Sequence, residues 1–282
     1  MTAVLLALLA ALLFGLASYL GPVLSRRHSP SGVLVAGQLA AVAAASALLL
    51  TVAPGAAALH THVLALLAGI ANGVALTCMF EAARFLPIST MAPIGATGGA
   101  VPVVVALLLG ERPDVLQLVG IPLAVCGVVL VAMRRAGGGG APAASLPRAG
   151  LLLAVGWALC YGAFLSLFAE ASHGGSTWAV FDSRVALLVT GLVLPLVRGL
   201  PLGLSRAAAP LAAVNGLLIL GGVVAFAAAL STGLTSIVSV LATLSPVITV
   251  ALAVVLLRER LVRWQRVGLV TTVVGVVLLA AG

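Results

Sequence analysis

Apolar residues run along the chain in stretches of about twenty, and short groups of Gly, Pro and Arg separate these stretches. A helix of about twenty apolar residues can cross the hydrocarbon layer of a bilayer, which is about 30 Å thick. The pattern therefore predicts an all-α membrane protein. Its ten predicted spans are residues 3–24, 32–52, 62–82, 86–109, 115–133, 149–169, 177–197, 209–230, 234–257 and 264–281.

The composition indicates that lipid is the solvent of this chain. Hydrophobic residues make up 63% of the sequence and charged residues only 7%, and the mean hydropathy is +1.31. The net charge of +8 comes from arginine, and nearly all of these arginines lie at the ends of predicted spans. That placement is typical of an orientation signal in a membrane protein and argues against nucleic acid as a partner. We expect no metal and no cofactor.

Two segments of the sequence share an uncommon polar motif. The first copy reads Glu111, Arg112, Gln117, Gly120 and Gly127, and the second reads, at the same spacing, Glu259, Arg260, Gln265, Gly268 and Gly275. Apolar residues often match by chance, but Glu, Arg and Gln together do not, so the chain is interpreted as an internal repeat. Because each half holds five spans, the second half must enter the membrane from the opposite side. The predicted fold is therefore ten transmembrane helices in two inverted five-helix repeats, which is typical of transporters.

The arginines in the connections are distributed unequally between the two sides of the membrane. Those connections that follow spans 1, 3, 5, 7 and 9 hold almost all of them, and the other side has only Arg112. By the positive-inside rule the arginine-rich side is cytoplasmic and both termini lie outside. We therefore expect a multi-pass protein of the cytoplasmic membrane with these five connections in the cytoplasm.

With these features, the sequence resembles the drug/metabolite transporter superfamily, specifically its ten-helix members with two EamA domains. The resemblance rests on Pro246, Arg184 and the two copies of the Glu-Arg-Gln-Gly motif. It implies a first EamA-like repeat over residues 4–133, a linker over 134–148 and a second repeat over 149–279. It also implies export or exchange of small organic solutes such as amino acids, sugars and drugs. Ten-helix members are generally described with both termini cytoplasmic, so the resemblance and the arginine distribution predict opposite orientations.

Arg184 is a charged residue well inside a predicted span. An unpaired charge there costs at least ~2.5 kcal/mol on insertion scales, so the side chain needs a partner or a wet cavity. It could hold an anionic group of the substrate or a carboxylate of another helix, or it could be a structural ion pair or a snorkelling side chain. Gln38 stands at the equivalent place in the first half, so the predicted cavity is asymmetric in charge. Asp182, on nearly the opposite face of the same helix, is the candidate for coupling to a proton.

Further polar and aromatic side chains share predicted helix faces. On span 6, Trp157 and Tyr161 are candidates for contact with substrate, whereas Phe164 and Phe168 on the same face are better explained by packing. The other candidates for substrate contact are Asn72, Asn215, Ser239 and Thr243, although small polar residues also let helices approach closely. Glu111 and Glu259 lie at helix ends beside arginines and are candidates for gating.

These features predict a secondary transporter that moves a small organic solute, such as an amino acid, another metabolite or a drug, by alternating access, as efflux or exchange. The expected partners are that solute and the lipid bilayer, with a proton or counter-substrate as a further candidate, and the sequence does not indicate an oligomeric state. An enzyme is not expected, because no GxSxG or HExxH motif is present and all four histidines fall in predicted connections or at their edge. The alternative is a channel-like pore or a membrane scaffold without transport activity.

Overall fold

The structure is a computed structural model that describes residues 2–52, 54–86, 94–95, 97–110, 112–132, 147–242, 244–245, 247–248 and 263–281. Within these ranges the regular structure is helical, because lipid offers no hydrogen-bond partner and a helix satisfies its own backbone. The helices are α1 (Thr2–Arg27), α2 (Pro30–Val52), α3 (Leu59–Phe85), α4 (Ala100–Leu108), α5 (Val115–Ala132), α6 (Arg148–Val197), α7 (Ala209–Leu230), α8 (Thr235–Ala242) and α9 (Arg263–Ala281), with a 3₁₀ turn at Thr97–Gly99.

Within the described residues, five helices are long and apolar enough to cross a membrane: α1, α2, α3, α6 and α7. Helix α6 has 50 residues and, at 1.5 Å per residue, would measure about 75 Å if it were straight, far more than a bilayer. Its backbone leaves helical geometry at Gly175, where φ is 152° and ψ is 91°, a conformation that residues with a side chain rarely adopt. Helix α6 therefore consists of two arms, residues 148–174 and 176–197.

The two arms of α6 run in opposite directions, and contacts along α3 show this. The contact pairs are Thr61 with Gly174 and Leu86 with Gly150 for the first arm, and Gly69 with Ser183 and Gly73 with Thr190 for the second arm. The first arm is thus antiparallel to α3 and the second is parallel to it, so the chain reverses at Gly175. The arms coincide with predicted spans 6 and 7. Spans 4 and 9 are described only in part, as α4 and α8, so the number of ten spans stays a prediction.

Close contacts between helices recur in the two halves at a separation of about 147 residues. The matched pairs are Gly162 with Gly98 and Gly15 with Ser245, Gly69 with Ser183 and Gly216 with Gly37, and Gly127 with Thr272 and Gly275 with Ala124. In each pair an added side chain on the glycine would overlap the neighbouring helix, so the small residue permits the close approach. Every pair joins a helix of the first half to a helix of the second. Helices of the two halves therefore pack against each other, and each of these contacts has a counterpart at the corresponding positions of the repeat.

The glutamine of the repeated polar motif has a structural role in the first half. The backbone N–H of Asp114 donates to Oε1 of Gln117 over 3.0 Å, and α5 begins at Val115 between them. A side chain that reaches back three residues to the N-terminal cap satisfies one of the free donors at a helix start. The spacing of this part of the motif is therefore explained by helix capping.

The buried apolar side chains form two clusters. The larger cluster includes Phe14, Phe164, Phe168 and Phe226, and the smaller cluster includes Leu24, Phe80, Leu86 and Leu187. Arg26 Nε donates to the carbonyl of Ala83 over 3.3 Å at the edge of the smaller cluster. The smaller cluster therefore lies toward the arginine-rich connections and the larger cluster toward the arginine-poor ones.

Candidate functional site

A layer of polar side chains separates the two apolar clusters. On α2, α3 and α6 a buried polar residue lies between a residue of one cluster and a residue of the other, as on α2, where Leu34 belongs to the smaller cluster and Ala41 to the larger. On α7 the buried polar residue lies about one helical turn from the boundary, on the side of the smaller cluster. These four residues, which we call the polar layer, are Gln38 of α2, Asn72 of α3, Arg184 of α6 and Asn215 of α7. None of them is more than 3% exposed. The structure thus places four residues predicted from the sequence at the boundary of the two clusters or about one helical turn from it.

Two helix crossings position the polar layer. At the first, α2 meets α7, and a side chain at Gly37 would lie 2.8 Å from the carbonyl oxygen of Ala212. Gln38 directly follows Gly37, and Asn215 directly precedes Gly216, the other glycine of that crossing. At the crossing of α3 with the second arm of α6, Gly69 meets the backbone of Ser183, and Arg184 is the next residue. Gln38, Asn215 and Arg184 are therefore each adjacent in the sequence to a residue at which two helices approach most closely.

The two asparagines occupy different places relative to these crossings. Asn215 directly precedes the crossing glycine of α7, Gly216, whereas Asn72 follows the crossing glycine of α3, Gly69, by three residues. Since the two glycines correspond in the repeat, the amides are about one helical turn out of register.

Several polar atoms of the layer have no hydrogen-bond partner within the described residues. They are Nε, Nη1 and Nη2 of Arg184, Oε1 of Gln38 and Oδ1 of Asn215. A buried polar group without a partner costs free energy, and a buried charge costs more than a neutral group. Native interiors seldom leave such atoms unsatisfied unless a ligand or water completes them. The layer therefore has the chemistry of a binding site, with donors on one side chain and acceptors on two others.

An aromatic row lies beside Arg184. The guanidinium carbon is 5.8 Å from the centroid of the Phe164 ring, within the range of a cation–π contact. The Tyr161 and Phe164 centroids are 6.0 Å apart, and the Phe168 ring stacks on Phe226 at 6.0 Å. Phe164 and Phe168 are fully buried in the larger cluster, which agrees with the packing role expected of them, while Tyr161 is half-buried at its edge.

Trp157 is separated from this row. Its ring covers Gly95, and it packs against the smaller cluster, whereas Tyr161 packs against the larger one. Trp157 and Tyr161, which were predicted on one helix face, therefore lie on opposite sides of the polar layer. The structure brings Tyr161, but not Trp157, next to the ring that contacts Arg184.

The remaining substrate and gating candidates are placed as follows. Ser239 of α8 is fully buried and its hydroxyl has no hydrogen-bond partner among the described residues, but both of its helix neighbours belong to the larger cluster. Thr243, Glu111 and Glu259 lie outside the described residues.

Asp182 is paired with a histidine of the other half. Its Oδ2 is 2.6 Å from Nδ1 of His62, and the His62 ring meets the Trp178 ring edge-on at 5.2 Å. Trp178 in turn donates from Nε1 to the carbonyl of Gly55 over 2.8 Å. The pair therefore joins α3 to the second arm of α6 on the arginine-poor side of the polar layer.

This pair corrects one sequence prediction. The histidines were all expected in connections or at their edge, but His60 and His62 lie in α3 and His173 lies in α6. Helix α3 begins at Leu59, earlier than the apolar run suggested, because the histidines continue the helix at its polar end. The partner of Asp182 was missed for this reason, and because 120 residues separate the two in the chain.

A cavity of about 190 Å³ opens between α4, the first arm of α6 and the start of α8. Its polar lining residues are Ser166, Glu170, His173 and Thr235. Ser166, Glu170 and His173 lie toward the end of the first arm, on the arginine-poor side. Glu170 and His173 are not among the site residues predicted from the sequence, although their spacing of three residues puts both on one helix face.

The helices and the repeated contacts define the class of this protein: it is a multi-pass membrane protein of two repeated helical halves with buried polar groups between them. Comparison with known proteins gives the family. The sequence matches the EamA-like transporter family over residues 1–133 and again over residues 148–281. The chain therefore belongs to the EamA-like transporter family.

A solved structure supports the fold. A crystal structure described only as that of a protein shares 18% sequence identity with this chain, with a TM-score of 0.72, covering 98% of this chain and 95% of that one. At that identity the likeness concerns the fold alone. A comparison with curated proteins found no match.

Proposed function

We propose that this protein is a secondary transporter that moves a small organic solute across the cytoplasmic membrane by alternating access, as efflux or exchange. The observation that carries the proposal is the polar layer, whose buried, unpartnered donors and acceptors lie between two apolar clusters at the seam of two repeats. A ligand site at the interface of inverted repeats is typical of secondary transporters. The family membership supports the same function.

Both halves contribute to the proposed substrate site. Gln38 and Asn72 come from the first half, and Arg184 and Asn215 from the second. Each crossing that holds them joins one half to the other, so a rocking motion of the halves would change the surroundings of all four residues together. Tyr161, Ser239, Thr243 and Trp157 remain candidates for further substrate contacts.

We assign coupling or gating to the pair of Asp182 and His62. The pair bridges the two halves on one side of the polar layer, and both partners are titratable, so a change in protonation would alter a contact between the halves. Asp182 and His62 are 13% and 30% exposed, which leaves water access to the pair. Glu111 and Glu259 remain gating candidates at helix ends. From the arginine distribution we infer that the pair faces the extracytoplasmic side.

The experiment that tests the proposal is solute flux in proteoliposomes. A carrier gives saturable uptake that is accelerated by unlabelled solute on the opposite side, whereas a channel-like pore gives uptake that rises linearly with concentration. Absence of flux for every solute class would favour the scaffold.

A matched pair of variants ties the flux to the polar layer. Asn215→Leu removes an unpartnered acceptor and keeps the branched shape of the side chain, and Val214→Leu changes the neighbouring position, whose side chain is exposed. We expect Asn215→Leu to reduce flux at least tenfold without loss of thermal stability, since no described hydrogen bond of its Oδ1 is lost. Val214→Leu should leave flux unchanged. Equal flux in both variants would remove Asn215 from the site.

A further inference from the structure

Arg184 is the one member of the polar layer that carries a full charge. Its side chain is 0% exposed, and none of its three guanidinium nitrogens has a hydrogen-bond partner in the described ranges. Within those ranges the ion pairs are His62 with Asp182 and Arg84 with Glu81, and neither involves Arg184. Because arginine stays protonated in proteins, Arg184 is a buried positive charge without a counter-charge among the described residues.

Two simpler explanations of Arg184 do not fit its surroundings. A snorkelling arginine keeps its head group in water or among lipid head groups, but this head group is fully buried. A structural ion pair needs a carboxylate within reach, and the described residues supply none. The ring of Phe164 attracts the guanidinium weakly and leaves its N–H groups available.

The shape of the group indicates what would complete it. A guanidinium offers parallel N–H donors that match the two oxygens of a carboxylate or the oxygens of a phosphate. The unpartnered acceptors Gln38 Oε1 and Asn215 Oδ1 lie in the same layer and would accept from hydroxyl or ammonium groups of the same solute. The site thus fits a small oxyanion that also carries donors.

We infer that Arg184 binds an oxyanion of the transported solute, and that the carrier changes orientation only with an anion bound, so that it exchanges anions and does not move one alone. The inference rests on the proposed transport function. Its physical basis is that an empty layer leaves an uncompensated charge, which any occluded state would have to enclose away from water. A bound anion removes that penalty, so only the loaded carrier crosses readily.

The first test measures anion binding to the purified protein in detergent by thermal stability. The probes are L-lactate with L-lactamide, L-phenylalanine with L-phenylalaninamide, and inorganic phosphate, all at one ionic strength. We expect at least one of these oxyanion-bearing probes to raise Tm and the amide of a stabilising acid not to do so, because a ligand of the folded state stabilises it. The carboxylate and phosphate arms distinguish the two kinds of oxyanion. Stabilisation by no anion, or equally by an acid and its amide, would overturn the inference.

Two variants locate that effect. Arg184→Gln should abolish the anion-dependent shift, and Arg206→Gln, the same change at an exposed arginine, should retain it. Without ligand, Arg184→Gln should also raise Tm above that of the unchanged protein, since it removes the uncompensated charge and installs the residue that the first half has there. A lowered Tm or failure to fold would show that Arg184 has a structural partner and would refute the anion site.

The second test addresses exchange. With the stabilising probe in proteoliposomes, uptake should be at least about tenfold faster when the same solute is inside than when only its amide, or no solute, is inside. Equal rates would refute obligatory exchange. Arg184-dependent binding in detergent without any saturable flux would instead contradict the transport function and leave the anion site standing.

Discussion

The crossing of α2 with α7 and the crossing of α3 with the second arm of α6 have the same backbone design and different chemistry. In both, a glycine of one helix meets the backbone of a helix from the other half, at Gly216 with Gly37 and at Gly69 with Ser183. Beside the first crossing stands the neutral Gln38, and at the matching place beside the second stands the charged Arg184. The repeat therefore preserves the packing and varies the polar group.

The difference between the two crossings shows how a fold built from two repeats can hold a charged group in only one of them. Packing constrains both crossings equally, because backbones in contact leave no room for side chains. The next residue faces no such constraint, so one half can carry a charge that the other lacks. The same asymmetry appears at the pair of Asp182 and His62, whose matching positions about 147 residues away are Val35 and Ala209.

The largest expected effect comes from filling a crossing. Gly216→Ala should sharply reduce the yield of monodisperse protein in size-exclusion chromatography, because its Cβ would overlap the carbonyl of Gly37 and overpacking costs roughly 1–3 kcal/mol or more. Gly69→Ala should do the same at the other crossing. Gly221→Ala in the same helix as Gly216 is the control, since its Cβ would meet only the end of the Leu13 side chain at 3.2 Å. Equal yields of all three would show that the crossings are not tight.

The next largest effect is expected on anion binding, and it shows whether the arginine alone or its place in the fold determines that binding. Arg184→Gln should weaken anion binding by at least tenfold, or about 1.4 kcal/mol. The double variant Arg184→Gln with Gln38→Arg moves the charge to the mirror position. If the two crossings are equivalent apart from this residue, titration by thermal shift should show that anion binding returns in part. No recovery would mean that the aromatic row beside Arg184 is also needed.

A smaller effect is expected at the pair that only one crossing possesses. Asp182→Asn and His62→Gln should each lower exchange by about tenfold, and the double variant should be no worse than either single one. Such non-additivity, worth 0.5–3 kcal/mol for residues in contact, is measured by a double-mutant cycle on flux. Fully active Asp182→Asn would eliminate coupling through this residue.

The smallest effect is expected where α5 and α9 meet. Gly127 packs on Thr272, and the matched Gly275 packs on Ala124. Thr272→Val makes both contacts apolar and replaces only the hydroxyl, which donates to the carbonyl of Gly268 in its own helix over 2.9 Å, by a methyl group. Thermal stability should change by less than about 1 kcal/mol, with flux retained. A larger loss would mean that this hydroxyl takes part in contacts between the halves.

The sequence was sufficient for some features of the site and insufficient for others. Arg184 and Gln38 could be selected because a polar residue in an apolar span is costly wherever it lies, and the repeat aligned the two. The level shared with Asn72 and Asn215 was not predictable, since it depends on how far each helix slides along its neighbour. The His62 partner of Asp182 was missed because helix α3 extends beyond its apolar run.

By itself, the sequence determined that the chain is a helical membrane protein with two related halves. Lipid imposes this through local rules, because apolar length decides what spans the membrane and the backbone must satisfy itself within each helix. Only the tertiary structure decided which polar atoms meet a partner. The separation of two apolar clusters by a polar layer, and the isolation of one guanidinium within it, arise from contacts between residues about 150 positions apart, which no local pattern encodes.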